Sequence, residues 1–204
     1  MLDHPYPAIH TAAIRTVGNI LTGDNEQAER IISCGLLPHL KALLEHSKNY
    51  IRKEVLLSLS NIAAGSLDQI QAVIDAEIFP KLFSMLSPRN GEAVNVKDEI
   101  YYVCKNALQG GNGFQIQYLM DQGVIQQLCD ALDVNSTVLT VLLDGLKALL
   151  SYGEQSNTLK EITETIEKSV GVENIKSLQY HTSEDIQQRA LNLLETYWEM
   201  FKHQ

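Results

Sequence analysis

The chain has 204 residues, 45% of them apolar, and carries a formal net charge of −9. That apolar share suffices for a continuous core, and no run approaches the roughly 20 apolar residues that a membrane helix needs. The acidic balance argues against nonspecific nucleic-acid binding and for basic partners. Three cysteines without CxxC spacing point to reduced thiols rather than a disulfide framework.

Taken in order, the elements are helical and they repeat. A helix over roughly 8–22 ends in Gly18-Asn19-Ile20-Leu21-Thr22-Gly23, and the same signature returns as Ser60-Asn61-Ile62-Ala63-Ala64-Gly65 and Lys105-Asn106-Ala107-Leu108-Gln109-Gly110. The asparagines are 42 and 45 residues apart. Gln27, Gln69 and Gln115 drift in step, and so do the stretches that begin at Ile32, Ile74 and Met120. A period near 42 residues belongs to HEAT and armadillo arrays.

Within one period, Ile51, Val55, Leu59 and Ala63 line one face of a helix over 49–64, with Gly65 expected as a left-handed stop. Short helices follow over 67–76 and 78–87, Pro80 falling in a first turn that needs no N–H from it. The cycle restarts at Asn95. Two short helices and a long one describe an armadillo repeat, so the expected fold is an all-α, right-handed armadillo superhelix. Its parts are a partial repeat (1–23), repeats over 24–65, 66–110 and 111–152, and a capping repeat over 153–204. In the fourth copy a helix over 136–151 has Ala148 at the asparagine position. A final helix pair, 157–180 and 183–202, closes the array with Glu184, Asp185, Gln187, Gln188 and Glu195 on its polar face. The first helix lacks two predecessors, which suggests the C-terminal part of a longer array.

Arg15 to Asp24, Ile51 to Gly65, Gln69 to Ala76 and Ile125 to Leu132, together with the closing Asp185–Trp198 helix, resemble the importin-α family of nuclear import adaptors. The resemblance implies a groove that holds basic nuclear localisation signals, with asparagines pairing to the peptide backbone, aromatic faces holding Lys or Arg stems, and acids taking their charge. It implies that this chain carries the family's minor site. The carried-over residues are Arg15 with Asn19, then Glu54, Leu57 and Asn61, then Glu99, Tyr102 and Asn106. Leu57 stands where the family has tryptophan, and Tyr101 is the alternative to Tyr102.

The partners so implied are basic signal-bearing cargo, an export factor at the C-terminal repeats, and importin-β if a basic segment lies upstream. A cytoplasmic and nuclear location follows from the same resemblance, with neither nucleic acid nor membrane as a partner. A degenerate scaffold for non-basic proteins is the alternative. Cys34, Cys104 and Cys129 read as small buried residues. No hydrolase, zinc-protease, phosphate-loop or dinucleotide motif occurs, the six histidines are scattered, and neither catalysis nor a cofactor is expected.

Overall fold

The computed structural model describes residues 2, 6–133 and 135–198. Among them the chain is all α-helical: α1 (Pro7–Leu21), α2 (Asn25–Ser33), α3 (Leu36–Leu43), α4 (Asn49–Ala63), α5 (Leu67–Asp75), α6 (Ile78–Leu86), α7 (Val94–Gly110), α8 (Gly113–Asp121), α9 (Val124–Asp130), α10 (Leu139–Ser156), α11 (Leu159–Lys168), α12 (Gly171–Leu178) and α13 (Glu184–Tyr197). A single 3-10 turn, Pro88–Asn90, precedes α7. The short-short-long rhythm is present from α2 onward.

The molecule divides into two compact units, Met1–Gln115 and Ile116–Gln204, with the boundary inside α8. In the first unit, α4 packs between α1 and α7. Its apolar face, Ile51, Val55, Leu59 and Ile62, is fully buried, and so are Leu40, Ile70, Phe79 and Ile100 around it. In the second, α10 packs against α9, α11 and α13, and Leu142, Leu146, Leu149, Leu150, Ile162 and Leu194 fill the core.

The recurring glutamines explain the period. Asp24 and Ser66 cap α2 and α5 by accepting from the N–H groups of Gln27 and Gln69. Asn112 and Gln115 form a reciprocal capping box at α8, each backbone N–H meeting the other's side-chain oxygen at 3.1 Å. The amides then reach back one repeat: Gln69 Nε2 donates to Asn25 O at 3.4 Å, and Gln115 Nε2 to Leu67 O at 2.9 Å. Gly65 is not a left-handed stop, since positive φ among the glycines occurs at Gly35, Gly91 and Gly123. Its role is spatial. A Cβ at Gly65 would lie 1.8 Å from Gln69 Oε1, so the glycine makes room for the glutamine in the first turn of the next helix.

A left-handed residue sits instead before the second helix of each repeat: Gly35 (φ 85°), Glu77 (φ 52°), Gly123 (φ 88°) and Val170 (φ 56°). Val170 also corrects the helix expected over 157–180, because the backbone breaks there into α11 and α12, giving three closing helices instead of a pair. The helix expected over 136–151 begins at Leu139 and runs to Ser156. The last helix ends at Tyr197. Trp198 is its extended C-cap and donates from Nε1 to Glu167 Oε1 at 2.9 Å; residues 199–202 of the expected helix lie outside the described residues. Cys104 and Cys129 are buried as expected, but Cys34 is exposed, because it is the C-cap of α2 and so lies beyond that helix's apolar face.

Candidate functional site

The long helices α1 and α4 lie side by side and enclose a cleft of about 340 Å³, lined by Ile14, Arg15, Gly18, Asn19 and Thr22 from α1 and by Glu54, Leu57, Ser58 and Asn61 from α4. Gly18 faces α4 here, and a Cβ on it would meet Ser58 Oγ at an ordinary contact distance of 3.6 Å. Five of the eight residues expected at a binding site therefore share one cleft. Leu57 is 40% exposed although it is a large apolar side chain. Among the described residues the side-chain amides of Asn19 and Asn61 have no hydrogen-bond partner, so each presents two N–H donors and a carbonyl acceptor to whatever occupies the cleft.

Arg15 and Glu54 meet here as an ion pair. The guanidinium Nε and Nη2 both reach Glu54 Oε1, at 2.7 and 2.6 Å, which raises the Arg15 pKa through the hydrogen bond and then the charge. Arg15 is thus both a cleft residue and the partner of an acid one repeat further on. Among the described residues nothing donates to Glu54 Oε2.

The third set, on α7, is arranged differently. Asn106 is half-buried and its Nδ2 is engaged by Ser60, with the carbonyl at 3.1 Å and the hydroxyl at 2.9 Å. Glu99 is buried and meets Lys53 Nζ at 3.2 Å. Tyr102 is 39% exposed whereas Tyr101 is 9% exposed, so Tyr102 is the residue presented outward. Glu99, Tyr102 and Asn106 follow the i, i+3, i+7 spacing of one helix face, but two of the three are bound to α4.

A second cleft, in the other unit, was not foreseen. Leu143, Asp144 and Lys147 of α10 and Asp185, Gln188, Arg189, Asn192 and Leu193 of α13 enclose about 300 Å³. The signal for it is in the sequence: Asp185, Gln188, Arg189 and Asn192 have the spacing of Glu54, Leu57, Ser58 and Asn61. Asp185 and Gln188, on the polar face expected of a capping helix, line this cleft. Arg189 donates from Nε to both Asp185 oxygens, at 3.1 and 3.0 Å, and from Nη1 to Asp144. Its pKa rises through the Asp185 hydrogen bond against the opposing effect of burial, with the two carboxylate charges adding to the rise. No group of three or more His, Cys, Asp or Glu residues could hold a metal ion among the described residues, and no helix there is long and apolar enough to cross a membrane.

Comparison with known proteins agrees with this arrangement. The armadillo/beta-catenin-like repeat family model matches residues 24–64, and the atypical Arm repeat model matches 160–200. Among solved structures, a designed armadillo repeat protein in complex with the peptide (KR)4 is 27% identical with a TM-score of 0.80, covering 96% of this chain and 78% of its own. A computationally designed armadillo repeat protein for modular peptide recognition is 26% identical with a TM-score of 0.83, covering 96% and 79%. Paired short helices, a long third helix and lateral clefts between third helices define an armadillo-repeat protein, a scaffold for binding peptides.

Within that class the chain belongs to the importin-α family. It is 38% identical over 97% of its length to importin subunit alpha-1b of Oryza sativa subsp. japonica and 39% identical over 97% to importin subunit alpha-3 of Arabidopsis thaliana. It spans 38% of the length of each of these two relatives.

Proposed function

We propose that the α1–α4 cleft binds an extended, Lys/Arg-rich peptide, as in an import adaptor that reads nuclear localisation signals. The observation that carries this reading is the pair of open amides, Asn19 and Asn61, in one cleft with a carboxylate whose Oε2 is unengaged. The amides hold the peptide backbone whatever its sequence. Glu54 Oε2 takes an incoming ammonium or guanidinium, and Leu57 packs against its methylene stem. Tyr102 extends the surface onto α7, where Asn106 has only its carbonyl to offer. The designed armadillo protein solved with (KR)4 supports this assignment by analogy of scaffold and ligand.

The adaptor role would make basic cargo the partner in a cytoplasmic and nuclear cycle. An export factor at the C-terminal repeats and importin-β at an upstream basic segment would complete it. Two features favour the alternative of a scaffold for non-basic partners: Leu57 lacks the quadrupole of a tryptophan, and both Glu54 and Glu99 already carry internal cations.

One titration separates the two readings. Fluorescence anisotropy with a labelled (Lys-Arg)4 octapeptide should give tighter binding than (Gly-Ser)4, and Asn61→Ala should weaken it about three- to tenfold, the worth of about one hydrogen bond. Equal binding of the two peptides, unmoved by Asn61→Ala, would refute the basic-peptide reading. Preference for an octapeptide with Leu replacing its cations would establish the alternative.

A further inference from the structure

The cleft between α10 and α13 repeats the geometry of the α1–α4 cleft with its charges redistributed. Asp185 stands where Glu54 stands, Gln188 where Leu57 stands and Asn192 where Asn61 stands, each set following the same spacing along one helix face. On the facing helix, Leu143, Asp144 and Lys147 match Ile14, Arg15 and Gly18 in spacing. The lateral pair of long helices and the outward amide are therefore kept, while the groups around them differ.

Which groups remain available decides the ligand. Asp185 takes both of its bonds from Arg189 Nε, and Asp144 takes Nη1. One guanidinium thus bridges the two carboxylates, through both oxygens of Asp185 and Oδ1 of Asp144. Among the described residues, four donors have no partner: the Lys147 ammonium, the Arg189 Nη2 edge, and the side-chain amides of Gln188 and Asn192. A cationic peptide would find only Asp144 Oδ2 unengaged among the described residues, beside the like charges of Arg189 and Lys147. An anionic side chain displaces nothing, and it meets an ammonium and the free edge of a guanidinium, the geometry suited to a carboxylate.

We infer that the α10–α13 cleft is a second peptide-binding site, selective for an extended segment that carries an acidic side chain. Asn192 and Gln188 pair with the segment's backbone, and Lys147 with Arg189 receives its carboxylate. The chain's net charge of −9 opposes any acidic ligand at long range, but at 0.15 M salt that field is screened beyond about 8 Å, so the groups in the cleft decide. Lys147 and Asn192 are exposed, and replacing them leaves the core intact.

The test uses the full chain at 0.15 M salt with labelled (Glu-Ser)4, (Gly-Ser)4 and (Lys-Arg)4. The expected result is that (Glu-Ser)4 binds at least fivefold tighter than (Gly-Ser)4. Lys147→Gln and Asn192→Ala each weaken it threefold or more, while Asn61→Ala leaves it unchanged. Circular dichroism verifies that each variant is folded. The basic peptide should not compete with the acidic one. Binding of (Glu-Ser)4 no tighter than (Gly-Ser)4, or unmoved by both Lys147→Gln and Asn192→Ala, overturns the inference. Loss of (Lys-Arg)4 binding in Asn192→Ala overturns it too, by assigning this cleft to a basic ligand. Failure of the α1–α4 proposal would show separately, as insensitivity of (Lys-Arg)4 to Asn61→Ala.

Discussion

Replacing Arg52 with methionine tests how neighbouring repeats of the first unit are held together. Arg52 Nε and Nη2 reach the two oxygens of Glu92 at 2.9 and 2.5 Å, and Nη2 also meets Asn49 Oδ1 at 2.8 Å. Nη1 donates to the carbonyl of His46. Both partners are sequestered, with side chains 14% and 8% exposed. Arg52→Met keeps the volume of the stem and strands the carboxylate. Breaking a buried pair from one side costs about 3–5 kcal/mol. Glu92 retains the N–H of Ala93 at 2.9 Å and the nearby charge of Lys97, so a loss near the lower end, about 3 kcal/mol, is expected at pH 7.

The pH dependence supplies the sharper criterion. Burial by itself pushes the Glu92 carboxyl upward, but the Arg52 hydrogen bonds, the Ala93 N–H and the Arg52 charge together hold it below the ordinary carboxylate value. A group depressed on folding contributes stability that is fully present above its unfolded pKa and is lost as pH falls through its folded one. In Arg52→Met the largest influence left is burial. Protonation then relieves the stranded charge, and the deficit against the native chain should shrink between pH 7 and pH 4. The double variant Arg52→Met/Glu92→Leu should recover at least about 1.5 kcal/mol at pH 7. Urea midpoints at several pH values measure this, provided the slope is unchanged. A deficit below about 1 kcal/mol at pH 7, or one equal at pH 7 and pH 4, would refute the reasoning.

Three further outcomes are expected. Val170→Gly should raise stability by about 0.5–1 kcal/mol, because a β-branched residue in the left-handed region carries about 1–2 kcal/mol of strain against a smaller entropic cost for glycine; a thermal midpoint that fails to rise contradicts this. Gly153→Ala should destabilise by about 1–3 kcal/mol, since its Cβ would lie 2.8 Å from Leu159 Cα and 2.9 Å from Ile162 Cδ1; an unchanged urea midpoint would show that α10 and α11 separate freely. A maleimide should label Cys34 alone in the native chain and all three cysteines in urea. Burial pushes Cys104 up to about 12 and Cys129 to about 11, leaving no thiolate to react; fast native labelling of either would place it nearer solvent than the structure does.

The repeat was legible in the chain because each of its registers has a local cause. Gln69 and Gln115 recur because each starts a helix, its N–H held by the capping side chain, and ties that helix to the preceding repeat, and Gly65 leaves the space that the Gln69 side chain fills. The break at Val170 was not legible. Its left-handed backbone is carried at that turn by Gly35 and Gly123 in other repeats, and neither Val170 nor Glu77 announces it.

The binding face shows the same division. The i, i+4 spacing of Arg15 with Asn19 and of Leu57 with Asn61 follows from helical periodicity, so the sequence alone determined which residues could share a face. It did not determine which of them are still free to bind. That depends on distances between helices: Ser60 engages Asn106, Lys53 meets Glu99, and Arg15 covers one oxygen of Glu54. Arg189, beside the polar face expected on the last helix, holds two carboxylates from two helices. Side-chain spacing is a property of one helix and is written along the chain. Whether a donor or a charge is already satisfied is a property of a pair of helices, and only their packing decides it.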